Sequence, residues 1–185
     1  MLVILIVDAL DLHGSPVFTQ MRIGLYGRPF RIFKIRTMRR DTPRYLATGE
    51  ITDPDRYITR VGRILRKFSI DELPQFLNIL IGDMSLVGPR PLIPEETGIH
   101  AMREKAGVYS IRPGMTGLAQ INGRDTVTAE EKVYWDTEYL HNFGFRQDIG
   151  IIFHSFKKVL VGDGVKEGAP GAPQAAEKPA KEQQS

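Results

Sequence analysis

Pro74 constrains this chain more than any other single residue. Apolar side chains at Ile70, Leu73, Leu77 and Leu80 recur at helical spacing. A proline inside such a pattern is tolerated only near the first turn, where its missing N–H is one of the unpaired donors anyway. A helix here must therefore begin close to Asp71. That start places two adjacent carboxylates, Asp71 and Glu72, where free backbone N–H groups and the helix dipole favour negative charge. Ser69 and Glu72 also stand at capping-box spacing, which predicts that each satisfies the other's exposed backbone donor. Acids in a first helical turn are ordinary capping chemistry, so position alone does not make this pair functional.

A second string changes the balance. Gly82-Asp-Met-Ser-Leu-Val-Gly-Pro-Arg-Pro91 sets Arg90 between two prolines. Fixed φ angles hold its backbone stiff and extended. A planar guanidinium so held suits bidentate contact with a phosphate. Paired carboxylates can bind a hard divalent ion such as Mg²⁺ together with substrate phosphate, and an ionised aspartate is a competent nucleophile toward phosphorus. Lys34 and Arg36, two apart on a predicted strand, point to one face and extend a candidate anion pocket. Arg112 and Arg124 lie at turns and join the list of candidate phosphate contacts. The four histidines show no metal-ligand spacing and read as structural or surface residues. Trp135 and Tyr134 read as core or interface.

Charge is unevenly spread. From Arg22 to Lys67 there are 13 Lys/Arg against four acids, a segment of +9 in a chain whose total is +3, so the remainder is −6. Such a surplus suits phosphates, nucleotides or acidic lipid headgroups. There is no cysteine, which excludes disulfides, thiolate metal sites and a cysteine nucleophile.

The expected fold is α+β and mostly helical, around one short β-hairpin. The hairpin uses the β-like runs Val17–Gln20 and Phe30–Ile35 and carries Arg22, Lys34 and Arg36. Helices are predicted over 55–67, from about 71, over 93–104, over 129–143 and over 148–161, the last with Ile149, Ile152, Phe153, Phe156, Val159 and Leu160 on one side. Residues 39–54 read as a loop and 109–123 as short strands punctuated by glycine. Met1 to Leu12 is apolar but shorter than the ~20 residues a bilayer crossing takes, and Asp8 and Asp11 oppose deep insertion. It reads as a buried element or the end of a membrane-inserted segment. Residues 162–185 are rich in Gly, Ala, Pro, Lys, Glu and Gln, from which no core can be built, and read as a disordered tail. The chain thus divides into an apolar segment, 1–14, a folded domain, 15–161, that carries the candidate site residues, and the tail, 162–185.

Several long motifs occur in order: Gly14-Ser-Pro-Val-Phe-Thr-Gln20 with Arg22 and Gly24, Phe33-Lys-Ile-Arg-Thr-Met38, Ile58-Thr-Arg-Val-Gly62 with Leu65-Arg66, Ser69 to Gln75, Gly82 to Pro91, and Arg112-Pro-Gly-Met-Thr-Gly117. Together they resemble the bacterial sugar transferase family, the monotopic polyprenyl-phosphate phosphoglycosyl transferases. The resemblance implies an enzyme on the cytoplasmic face of the bacterial inner membrane. It implies transfer of sugar-1-phosphate from a UDP-sugar to undecaprenyl phosphate, with Mg²⁺ as cofactor and UMP released. Carried over, Asp71 is the nucleophile, Glu72 assists it as metal ligand or base, both hold the metal, and Arg90 holds a phosphate. Family members open with a basic segment and a re-entrant apolar helix. This chain begins within that element, which predicts a shortened anchor. Its partners are then the donor, the lipid acceptor and membrane lipids, with a homodimer left open. A non-catalytic, membrane-associated remnant that binds nucleotide sugars is the rival reading. Nucleic acid is disfavoured, because no recognised binding motif accompanies the basic segment.

Overall fold

The computed structural model describes residues 15–42, 53, 56–123 and 127–161. The apolar segment 1–14, Arg124 and the tail 162–185 lie outside the described residues. The mixture of helices with two small sheets fits the α+β expectation.

Strands β1 (Val17–Ile23) and β2 (Pro29–Ile35) pair antiparallel, from Val17↔Ile35 to Ile23↔Pro29. Alternation along β2 turns Phe30 and Ile32 into a small core with Met84. The chain then reaches α1 (Arg60–Lys67), which starts later than residue 55 because Thr59 caps it, its Oγ1 accepting from the Gly62 N–H at 2.8 Å. Gly62 is needed there: a Cβ would lie 2.2 Å from the Thr37 carbonyl oxygen. The isolated bridge Met38↔Ile58 ties the same region together.

After α1, Ser69 takes a left-handed backbone (φ 53°) and the chain makes a single 3-10 turn, Ile70–Glu72. Helix α2 (Gln75–Ile81) follows, with Pro74 as its N-cap and Gly82 (φ 93°) ending it. Pro74 thus stands just ahead of the helix, where a proline is tolerated, but the helix starts at Gln75 and not near Asp71, the two acids lie in the preceding 3-10 turn, and the capping box does not form. The Ser69 side chain makes no cap bond, and the Glu72 carboxylate is drawn to two cations instead. Two cations hold that carboxylate more strongly than one backbone N–H would, and the Ser69 N–H already donates to the Arg66 carbonyl at 3.0 Å.

Helix α2 is inverted relative to a usual surface helix. Its buried side chains are Gln75 and Asn78, the latter 0% exposed, whereas Leu77 is 53% and Leu80 83% exposed. The apolar row expected from the spacing exists, and it faces outward. Asn78 is inside because it completes a sheet edge. Its Oδ1 accepts from the Phe33 N–H at 3.1 Å, its Nδ2 donates to the Arg31 carbonyl at 2.8 Å, and its own carbonyl accepts from the N–H groups of Gly82, Asp83 and Met84.

Beyond α2, β3 (Ser85–Val87) pairs in parallel with β4 (Gly114–Thr116). Glycines permit the approach: a Cβ on Gly114 would lie 2.1 Å from the Gly88 nitrogen. Between these strands lies α3 (Thr97–Lys105), shorter at its start than the predicted 93–104, since the Glu96 carboxylate caps the Ile93 N–H across the Pro94 turn. The 109–123 stretch holds a 3-10 turn (Val108–Ser110), β4 and a short helix α4 (Leu118–Asn122), which periodicity did not reveal. Helix α5 (Ala129–Asn142) opens on a Thr128/Glu131 capping box, and α6 (Phe145–Val161) closes the described chain. Val87, Tyr139 and Ile151 form a second core between β3, α5 and α6, with Leu118 and Ile121 of α4 packed on it. Of the apolar row expected on α6, Ile149, Phe153 and Phe156 are exposed. On α5, Tyr134 is exposed and edge-on to Trp135.

Asn78→Ala removes a buried donor and acceptor and leaves the Phe33 N–H and Arg31 carbonyl without their partner. It should destabilise the protein by about 3 kcal/mol, read as a lower urea midpoint. Asn78→Asp, which can still accept from Phe33 but cannot donate to Arg31, should fall between. Stability unchanged in the alanine variant would show that the sheet edge does not depend on this side chain.

Candidate active site

The 3-10 turn lies against β2, and that contact builds the site. Lys34 shares the inward face of β2 with Phe30 and Ile32, so its ammonium is aimed at the turn. Its Nζ lies 2.9 Å from Glu72 Oε1, and Arg90 Nη2 lies 3.2 Å from the same oxygen. Asp71, one residue earlier, is buried. Among the described residues nothing hydrogen-bonds its carboxylate. The left-handed Ser69, a strained position for a residue with a Cβ, turns the chain so that both acids face this cluster. Arg66, on the preceding helix, bonds Thr37 Oγ1 and adds its charge to the field at Asp71.

A further cation completes the surroundings. Arg22 donates to the Pro91 carbonyl at 3.1 Å and to Gln20 Oε1 at 2.7 Å, while its Nε is buried without a partner among the described residues. Burial, with Arg90 close by, lowers its pKa to about 10. Lys34, Arg90 and Arg22 thus stand around two carboxylates, a local excess of positive charge suited to a polyanion.

The two acids are tuned apart. Burial pushes the Asp71 carboxyl above its ordinary range; Lys34 pulls it back and neighbouring Glu72 adds to the rise. Burial also works against Glu72, but Lys34 and then Arg90 outweigh it and hold Glu72 well below the usual carboxylate range. Glu72 is thereby a fixed anion that orders the cations. Asp71 is the more basic group, and among the described residues no hydrogen bond holds its carboxylate, which suits it to attack on phosphorus better than Glu72. Together the acids supply the donor set that Mg²⁺ takes alongside substrate phosphate, one or two carboxylates. No cluster of three or more His, Asp or Glu ligands exists among the described residues.

Of the candidate residues, the fold gathers Asp71, Glu72, Lys34 and Arg90. Arg36 is not gathered. It lies one residue past the end of β2, donates to the carbonyls of Ser15 and Val17, and covers the Phe18 ring. The expectation that it shares a pocket with Lys34 fails because the paired strand ends at Ile35. Arg112 donates to the Gly82 carbonyl at 2.9 Å, bracing the end of α2. Arg124 lies outside the described residues. His100 bonds the Ile93 carbonyl and Tyr109, and His154 bonds the Gly150 carbonyl, both structural contacts. Sequence reasoning passed over Arg22 as a site residue, although its place in the Gln20-x-Arg22-x-Gly24 motif was a signal. It gave no role to Asn78, a lone polar residue among apolar ones.

The depressed folded-state pKa of Glu72 means that its ion pairs contribute fully above the unfolded value of about 4.3 and are lost as pH falls through the lower folded value. Lys34→Met should therefore cost about 3 kcal/mol near neutral pH. The gap from the wild type should stay level down to about pH 5 and narrow steadily below about pH 4. Urea unfolding across that range tests this; a gap that widens in acid contradicts it.

Known proteins bear on what this cluster belongs to. The family model for the bacterial sugar transferases matches residues 1–162. The uncharacterised sugar transferase EpsL of Bacillus subtilis is 44% identical over 155 residues, covering 83% of this chain and 75% of EpsL. The UDP-glucose:undecaprenyl-phosphate glucose-1-phosphate transferase of Caulobacter vibrioides is 42% identical, over 83% of this chain and 60% of its own length. The undecaprenyl-phosphate galactose phosphotransferase of Salmonella typhimurium is 38% identical over 82% of this chain, which spans about a third (34%) of that protein. With its length matched almost throughout the folded region, this chain belongs to the bacterial sugar transferase family.

Proposed function

We propose that the protein transfers a sugar-1-phosphate from a UDP-sugar to undecaprenyl phosphate, with Asp71 as the covalent carrier. The observation that carries this reading is the pairing of a buried Asp71, whose carboxylate has no hydrogen bond among the described residues, with a cation-locked Glu72, flanked by Lys34, Arg90 and Arg22. An Asp71 oxygen attacks the donor phosphorus that bears the sugar. The bond from that phosphorus to the UMP oxygen breaks, and UMP leaves with the electron pair. An oxygen of the lipid phosphate then attacks the same phosphorus and displaces Asp71, which leaves as the free carboxylate. The product is the lipid-linked diphosphate sugar. Each half is a displacement at one phosphorus, the pattern of nucleophilic catalysis with two easier steps.

The arginines and Lys34 bind and orient the diphosphate by charge and forked hydrogen bonds. Bound Mg²⁺ supplies charge neutralisation at the phosphates; Asp71 and Glu72 would hold it, through oxygens that Lys34 and Arg90 do not engage. The names of the relatives support polyprenyl-phosphate acceptors with glucose or galactose donors. No residue of this chain singles out the sugar.

The site belongs at a membrane surface on this reading. Among the described residues no helix is long and apolar enough to cross a bilayer. The outward apolar faces of α2 (Phe76, Leu77, Leu80, Ile81) and α6 (Ile149, Phe153, Phe156) instead suit shallow burial in the interface, and the +9 segment would add attraction to anionic headgroups. The cytoplasmic face of the bacterial inner membrane meets both demands.

Asp71→Asn should abolish both UMP release and any covalent phosphosugar adduct while leaving the fold intact, read by nucleotide release and intact-protein mass across a panel of UDP-sugars with undecaprenyl phosphate. Wild-type turnover in that variant would sink the mechanism; donor binding without UMP release in the wild type would favour the non-catalytic remnant. Leu77→Glu combined with Phe153→Glu should lower co-sedimentation with anionic vesicles several-fold, and unchanged co-sedimentation would remove these faces from the membrane contact.

A further inference from the structure

The segment that carries Arg90 has an uncommon backbone. Pro89, Pro91 and Pro94 remove N–H groups, so it can join neither a helix nor a sheet ladder along its length. Its carbonyls must find donors elsewhere, and five successive ones do. Pro89 O accepts from the Gly114 N–H (2.9 Å), Arg90 O from Arg103 Nη1 (2.8 Å), Pro91 O from Arg22 Nη1 (3.1 Å), Leu92 O from the Ile23 N–H (3.0 Å) and Ile93 O from His100 Nε2 (2.8 Å). The donors come from β1, β4 and α3.

The bond to Arg90 itself is the costly one. Arg103 is on α3 and Asp136 is in the middle of α5; Arg103 Nη2 lies 2.6 Å from Asp136 Oδ2, with side chains 3% and 1% exposed. Tyr109, hydrogen-bonded to His100, is also within reach of the Arg103 guanidinium. Placing two charges in a helix–helix contact carries a large desolvation penalty, and an apolar pair would hold α3 on α5 as well or better. What an apolar pair cannot do is donate to the Arg90 carbonyl. A guanidinium can do so with one nitrogen while its carboxylate partner holds another by charge, an ion-pair contact in which neither Asp136 Oδ2 nor Arg103 Nε has a well-aligned hydrogen bond among the described residues.

We propose that Arg103 and Asp136 are positioning residues for the reaction, acting through Arg90. Asp136 orients Arg103, Arg103 fixes the Arg90 backbone, and the Arg90 side chain is thereby held against Glu72 and the donor phosphates. This rests on the transferase reading above only for its effect on turnover. Arg103→Lys is the informative change, because a lysine ammonium is a point donor that cannot bridge the carbonyl and the carboxylate in the same plane.

The test is a double-mutant cycle with Arg90→Ala, read two ways: UMP release, and calorimetric binding of UDP, which needs no turnover. Arg103→Lys should lower kcat by about ten- to a hundredfold, the scale set by an ångström of misplacement, and weaken UDP binding severalfold. In the Arg90→Ala background the same change should do almost nothing further. Equal losses in both backgrounds would mean that Arg103 serves packing alone and would overturn the proposal. Should Arg103→Lys not fold, Asp136→Asn, which keeps an acceptor for Arg103, goes through the same cycle with the same two outcomes. If the wild type releases no UMP from any donor while UDP binding stays non-additive, the transferase reading fails and the positioning assignment stands. Additive UDP binding overturns the assignment whatever the turnover.

Discussion

Asn78 is the interaction on which the rest of the arrangement depends. Its side chain takes the place of a third strand at the free edge of β2, and its carbonyl gathers the three N–H groups that end α2 and lead into β3. One residue thus fixes α2 against β2. The 3-10 turn with Asp71 and Glu72 runs directly into α2, and Lys34 sits on β2, so the same anchor sets the distance between carboxylate and ammonium. A buried amide with both ends satisfied permits little adjustment, because any shift leaves a donor or acceptor unpaired.

Putting Asn78 and Gln75 inside has a consequence on the other side of the helix. Leu77, Leu80 and their neighbours are left on the outside, and the acids stand at the N-terminal end of that apolar face. Charge chemistry and an apolar surface are therefore adjacent by construction. On the proposed reading this is the arrangement required when one substrate is water-soluble and the other is a lipid whose phosphate lies at a bilayer surface. The excess of cations over carboxylates around the turn serves the same end, since both substrates bring phosphate. The cost is a set of cations partly buried and crowded together: burial first, and then neighbouring Arg90, lowers the pKa of Arg22.

Much of the local structure was legible. Pro74 kept the helix from running through it, although the helix starts at Gln75 and not near Asp71, and the hairpin, α1, α3, α5 and α6 lie where periodicity put them, with α1 starting later than expected at the Thr59 cap and α3 starting only after the Pro94 turn. Asp71, Glu72, Lys34 and Arg90 were picked from residue chemistry, and the fold brings them together. Arg36 was misplaced for an identifiable reason: alternation puts it beside Lys34 only if the strand continues, and pairing stops at Ile35. The Ser69–Glu72 capping box was a sound local pattern overridden by a stronger charged contact 38 residues away in sequence, at Lys34.

The sequence by itself determined the chemistry available and its rough placement: acids after a helix break, an arginine stiffened by prolines, a basic stretch, and motifs specific enough to name a family. Only the tertiary structure decided which way α2 faces and which cations meet the acids, as it also decided what holds the Arg90 loop. The physical reason is that periodicity reports that a helix has an apolar side without saying whether protein or lipid is to cover it. Buried pairs such as Arg103 with Asp136 come from separate elements, and nothing in the sequence around either residue marks it as the other's partner.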